Sequence, residues 1–231
     1  MESTETNNNI NNTNTTKNSN IILAVIGDQA VGKSSLLMQF VDKKFSLTMM
    51  GSAGVDCKKK VIDYKNNKID LHFYDSAGHD RFRHIIEPFL KKCKGVILVY
   101  DVTDYDSFTN VNSWINSITQ NTGPNIQYII LGNKIDLHDK KVSKEDAANL
   151  KAKYGVDVYE VSAKTGENVD NSIMKLVVNI IEKNGLIDNI NNINKLDKQA
   201  TEIIPVNKNE SVKLSYNDKK TKNNSCCYMC G

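Results

Sequence analysis

Residues 21–26, Ile-Ile-Leu-Ala-Val-Ile, form an unbroken apolar run that stops at Gly27. The run is too short for a buried helix and rich in branched side chains, so it reads as a strand buried on both faces. Behind it come Gly27-Asp28-Gln29-Ala30-Val31-Gly32-Lys33-Ser34-Ser35 and a helical pattern from Lys33 to about Val41, with Leu36, Leu37, Phe40 and Val41 on one face. Strand, glycine-bounded loop and helix in that order satisfy the G-x-x-x-x-G-K-[ST] pattern in the context that confirms it. The spacing has a chemical reason. Successive backbone N–H groups must curl around phosphate oxygens, and Gly27 and Gly32 supply the conformations that the curl requires. The helix start adds a partial positive charge. Lys33 then reaches the β- and γ-phosphates, and the Ser34 hydroxyl binds Mg²⁺.

The rest of the chain repeats the strand-and-helix theme. Residues 55–64 and 69–75 are β-rich and separated by Lys65-Asn66-Asn67-Lys68, which predicts an antiparallel hairpin. Buried-strand runs follow at 95–100, 126–132 and 156–161, with helical patterns near 106–120, 143–153 and 168–183. Strands alternating with helices of this length imply right-handed crossovers. The expected fold is α/β: a three-layer, mostly parallel six-stranded sheet with helices on both faces. Ligands of such sheets bind at the carboxyl ends of the strands.

Composition sets the limits of that domain. Residues 1–20 are polar and rich in asparagine, and 184–231 carry scattered apolar residues without a period, so both are expected to be disordered flanks of a domain at 21–183. Thirty basic and 27 acidic residues give a net charge of +3, too balanced to point to nucleic acid. No apolar run approaches the length of a membrane span, and the N-terminus lacks a secretory signal. The five cysteines are Cys57, Cys93, Cys226, Cys227 and Cys230. An odd count with three at the end is no disulfide framework, which suits a reducing cytosol. Cys57 and Cys93 read as ordinary buried thiols.

Two further segments stand at predicted strand ends: Asn133-Lys134-Ile135-Asp136 after Gly132, and Ser162-Ala163-Lys164 after Val161. In this order with the phosphate loop they resemble the small GTPases, whose N-K-x-D and S-A-K segments hold guanine. Asp136 can accept from the two guanine donors, whereas adenine would leave the carboxylate facing an acceptor. Tyr74-Asp75-Ser76-Ala77-Gly78-His79-Asp80-Arg81-Phe82 resembles the family's W-D-T-A-G-Q-E-R-F switch. The resemblance implies that Asp75 holds Mg²⁺ through water and that the Gly78 N–H touches the γ-phosphate. It also implies that Ser52 replaces a metal-binding threonine and that Phe45 packs against the base. A metabolite kinase would need a lid over its acceptor, and N-K-x-D argues against it.

Within the family, Gly51-Ser52-Ala53-Gly54-Val55-Asp56-Cys57, Arg81-Phe82-Arg83, Leu98-Val99-Tyr100-Asp101-Val102-Thr103 and Trp114 resemble the Rab branch. The resemblance implies a monomer that cycles between GTP and GDP on the cytoplasmic face of an intracellular or plasma membrane, with a cytosolic pool. It implies an exchange factor, an activating protein, a GDP dissociation inhibitor and effectors as partners. Cys57, Tyr74 and Phe89 stand where Rabs usually have Phe, Trp and Tyr, so effector identity does not carry over. The ending Cys226-Cys227-Tyr228-Met229-Cys230-Gly231 is not a CaaX box. By resemblance it takes two geranylgeranyl groups, with Cys226 and Cys227 favoured and Cys230 possible.

His79 stands where the family has the glutamine that orients the attacking water. Neutral imidazole fixes its donor and acceptor on opposite sides of a rigid ring, and protonation removes the acceptor. Gln29 adds a long side chain where relatives have a small one. Both predict slow intrinsic hydrolysis, or a GTP-locked binding module with negligible turnover.

Overall fold

The computed structural model describes residues 19–47, 55–76 and 83–185. Six strands make one sheet in the order β2-β3-β1-β4-β5-β6. They are β1 (Ser19–Gly27), β2 (Val55–Tyr64), β3 (Asn67–Ser76), β4 (Gly95–Asp101), β5 (Gln127–Asn133) and β6 (Val158–Glu160). Only β2 and β3 pair antiparallel; the other neighbours are parallel. The helices are α1 (Lys33–Asp42), α2 (Arg83–Leu90), α3 (Tyr105–Thr109), α4 (Val111–Asn121), α5 (Lys144–Tyr154) and α6 (Val169–Lys183).

Alternation along the central strands builds two cores. Leu23, Val25, Ile97, Val99, Ile129 and Leu131 face α1 and α6, where Leu36, Phe40, Ile173 and Val177 complete the packing. Ala24, Ile26, Val96, Leu98, Tyr100 and Ile130 face the opposite layer, with Ile86, Trp114, Ile118 and Leu150. Strands buried on both faces therefore read as continuous apolar runs, as residues 21–26 do. The three-layer α/β expectation holds.

Four details differ from the sequence reading. The hairpin turn is tighter: Tyr64 pairs with Asn67, and Lys65 and Asn66 adopt φ of 47° and 63°. A two-residue turn with both φ positive matches strand twist, and asparagine tolerates that region. The pattern at 106–120 is two helices: Asp104 caps α3 through Asp106 N, and the chain turns at Asn110 before α4. Helix α2 was not anticipated because Pro88 inside it removes an N–H from an eight-residue element. Cys57 is exposed on edge strand β2, not buried, because it lies on the strand's exposed face with Lys59, Val61 and Asp63, while Lys58, Lys60, Ile62 and Tyr64 alternate on the more buried one. Cys93 is buried as expected, and burial pushes its thiol up to about 11.

Candidate nucleotide site

The carboxyl ends of β1, β3, β4 and β5 bring the motif residues together. Gly27 ends β1 with φ 137°, and a Cβ there would lie 2.1 Å from the Val99 carbonyl oxygen. The glycine thus serves packing of β1 on β4 as well as the turn. Ala30 also takes a positive φ of 62°, and Gln29 and Ala30 are exposed at the loop tip. Gly32 (φ 93°) caps α1, and a Cβ there would meet Asn133 Nδ2 at 2.4 Å. Its bareness lets the N-K-x-D segment cross the phosphate loop.

Lys33 is 6% exposed, and its Nζ donates to the carbonyls of Gly27 at 3.0 Å and Asp28 at 2.6 Å. Burial lowers its pKa to about 8, opposed by the charges of Asp75 and Asp28. A buried cation gripped by loop carbonyls is poised to exchange those dipoles for a phosphate. The Ser34 hydroxyl donates to Asp75 Oδ2, and Asp75 is buried at the end of β3. Next to it, Ser76 Oγ donates to Val25 O at 2.9 Å and fixes β3 against β1. Hydroxyl and carboxylate side by side are the hard oxygen donors that Mg²⁺ takes, usually one or two from protein with water and phosphate completing the shell. The residues present fit that ion.

On the base side, Asn133 is 1% exposed and works in two directions. Its Nδ2 donates to Val31 O at 2.8 Å, and its Oδ1 accepts from Ala163 N at 3.0 Å. One amide therefore ties the phosphate loop to the Ser162-Ala163-Lys164 segment. Ser162 Oγ donates to Asp136 Oδ1 at 2.6 Å and accepts from Thr165 N at 3.1 Å. Lys164 Nζ stands 3.7 Å from Asp136 Oδ2. Lys134 takes φ 71° and pairs with Asp101 at 2.6 Å. Phe45 is half-buried against the α1–α6 core, beyond the end of α1. Ser35 is half-buried in the first turn of α1.

Several supporting residues escaped the sequence reading. Asp101, known there only as part of a branch signature, is the anchor for Lys134 and accepts from Thr103 N and Oγ1 at 2.8 and 2.7 Å. A charge at the carboxyl end of a buried strand was the available signal. Asn110 and Trp114 contact Asp28 from 82 and 86 residues away, with no local signal at all. Ser52, Gly78, His79, Cys226, Cys227 and Cys230 lie outside the described residues.

Comparison with known proteins finds relatives over most of the chain. The family model described as Ras family matches residues 22–182. The chain is 38% identical over 164 residues to the Ras-related protein Rab-13 of Canis lupus familiaris, covering 71% of this chain and 81% of the relative. It is 36% identical over 205 residues to the Ras-related protein SEC4 of Candida albicans (strain WO-1), covering 88% and 92%. It is 32% identical over 208 residues to the Ras-related protein Rab-8A of Gallus gallus, covering 90% and 95%. A buried lysine and a Ser–Asp pair at one set of strand ends, a guanine-type segment at the next, and matches spanning most of each relative leave one assignment: the chain belongs to the Ras family, as a Rab-type small GTPase.

Proposed function

We propose that this protein is a GTP/GDP-controlled switch acting in vesicle traffic at a membrane surface. The observation that carries the reading is the meeting of Lys33, Ser34 and Asp75 with Asn133, Asp136 and Ser162 at neighbouring strand ends. In this reading the amides of residues 27–35 and Lys33 bind the phosphates. Asn133, Lys134, Asp136, Ser162, Ala163 and Lys164, with Phe45, receive guanine. Ser34 and Asp75, with Ser52, would hold Mg²⁺, which supplies positive charge to offset the phosphates. Gly78 would sense the γ-phosphate. Loss of that phosphate would release the segments near 45–54 and 76–89 and change the surface offered to effectors.

The intrinsic hydrolysis rate is proposed to be slow, because His79 replaces the water-orienting glutamine and the exposed Gln29 crowds the loop. A GTP-locked binding module is the extreme form of this reading, and GTP rather than GDP retained through purification would identify it. The domain, read from the sequence as 21–183, includes Ser19 and Asn20 because β1 begins there. It lies between an asparagine-rich extension and a tail proposed to carry two prenyl groups, on Cys226 and Cys227 by preference. Seven basic and five acidic residues in the tail give little electrostatic help, so stable anchoring needs two lipids. Among the described residues no helix is long and apolar enough to cross a membrane. Intact mass of membrane-recovered protein from a eukaryotic host tests the lipids; an unmodified terminus would rule them out.

The deciding experiment is nucleotide competition in Mg²⁺. GTP and GDP should displace a labelled guanine nucleotide while ATP does so far more weakly. ATP within about tenfold of GTP, or ~1.4 kcal/mol, would refute the base assignment.

A further inference from the structure

Asp28, the second residue of the phosphate loop, is held from outside the loop. Its backbone carbonyl accepts from Lys33 Nζ at 2.6 Å. Its carboxylate accepts from Trp114 Nε1 on Oδ1 and from Asn110 Nδ2 on Oδ2, each at 2.7 Å. Trp114 is 2% exposed within the α4 core, and Asn110 is the exposed residue at which the chain turns from α3 into α4. From these contacts we infer that Trp114 and Asn110 are positioning residues: they latch the phosphate loop to α4 through Asp28 and thereby prolong nucleotide retention.

The chemistry of the three groups supports the latch. A buried indole N–H is only a donor and needs an acceptor, and an ionised carboxylate is only an acceptor. Hydrogen bonds to a carboxylate are the strong, orienting kind. With one donor on each oxygen, the carboxylate has a defined place, and the loop residue that carries it has little freedom to turn. Gly27, just before it, offers no side chain that could do this. A carboxylate in a phosphate-binding loop is also an electrostatic liability, since like charges repel. Two donors anchored on α4 offset that charge and keep it in one position. Removing them frees a negative group beside bound phosphates and loosens the carbonyl that holds Lys33.

This inference rests on the nucleotide reading above, and the test separates the two. Release of a fluorescent GDP analogue is measured in excess Mg²⁺ from the full chain and from Asn110→Ala, Trp114→Phe, Asp28→Ala and the pairs with Asp28→Ala. Trp114→Phe keeps the aromatic packing and loses only the N–H. Release should quicken about tenfold for Trp114→Phe, the scale of one charge-assisted hydrogen bond, and several-fold for Asn110→Ala. In the Asp28→Ala background each should change the rate by less than about twofold, because the shared partner is gone. Trp114 is the chain's single tryptophan, so its emission reads the contact directly, and Asp28→Ala should shift it without nucleotide. Release within about twofold of wild type for both variants, or equal effects with and without Asp28, would overturn the latch. Should Trp114→Phe not fold, the exposed Asn110→Ala carries the same test. A wild type that binds no GDP would refute the nucleotide reading, whereas unchanged indole emission in Asp28→Ala would refute the contact itself.

Discussion

On the phosphate side of the site, Lys33 and Ser34 lean on neighbours that a ligand would replace: two loop carbonyls for the ammonium and Asp75 for the hydroxyl. On the base side, Asn133 donates and accepts along bonds that join two loops to each other. One half holds charge that bound phosphate would collect, whereas Asn133 in the other is a neutral brace among ion pairs. The contrast teaches that these two halves should fail differently. Disturbing the brace should cost structure and affinity together, while disturbing the charged half should alter electrostatics with the frame intact.

Asn133→Ala should produce the largest effect. It strands the buried Ala163 N–H and removes the donor on Val31 O, at about 1–3 kcal/mol for each group left unsatisfied. Guanine nucleotide affinity should fall by about a hundredfold, and the ligand-free protein should melt several degrees lower, as calorimetry with and without GDP would record. A normal melting temperature with lost affinity would erase the distinction between brace and charge store.

Lys33 gives the next effect, through pH. Its folded pKa, lowered to about 8, lies below the ordinary lysine value of 10.5. Below pH 8 the folded state bears the full cost of a buried cation. Between about 8 and 10.5 the unfolded chain binds more protons than the folded one, so stability rises with pH through that window. The gain is at most about 3 kcal/mol. It is read as the stability difference between wild type and Lys33→Met, measured without nucleotide at pH 7.5 and pH 10 in denaturant. A difference that stays flat with pH would mean that the loop carbonyls already offset the burial.

His79→Gln should have the smallest effect and the most diagnostic one. Single-turnover hydrolysis should accelerate several-fold, because a flexible carboxamide can hold water and a transition-state oxygen together. Melting and GDP affinity should not move. An unchanged or slower rate would remove the basis for a GTP-biased protein and would point to Gln29 as the group that orients water.

Much of the fold was legible because local pattern and global role agree in it. Residues 21–26 and 95–100 are apolar on both faces since the finished sheet is covered on both. The motif Gly27–Ser34 was legible because phosphate chemistry demands its residues at fixed local offsets. Helix α2 was hidden by Pro88, and the break at Asn110 by an apolar period that continues across it. Exposure of Cys57 was hidden because a strand's alternation does not say whether a helix will cover both of its faces.

The sequence by itself determined the order of strands and helices, the phosphate-loop and guanine-type motifs, and their positions at strand ends. Those depend on periodicity and spacing within a few residues. Tertiary structure alone decided that Gly32 must stay bare beneath Asn133, that Asp101 anchors Lys134, and that Trp114 and Asn110 grip Asp28. The widest of these contacts, Gly32 against Asn133, joins residues 101 positions apart. Nothing in the local sequence of Asn110 or Trp114 announces Asp28 as a partner. Only the parallel crossovers, which return the carboxyl ends of β1, β3, β4, β5 and β6 to the same edge of the sheet, bring donor and acceptor within reach.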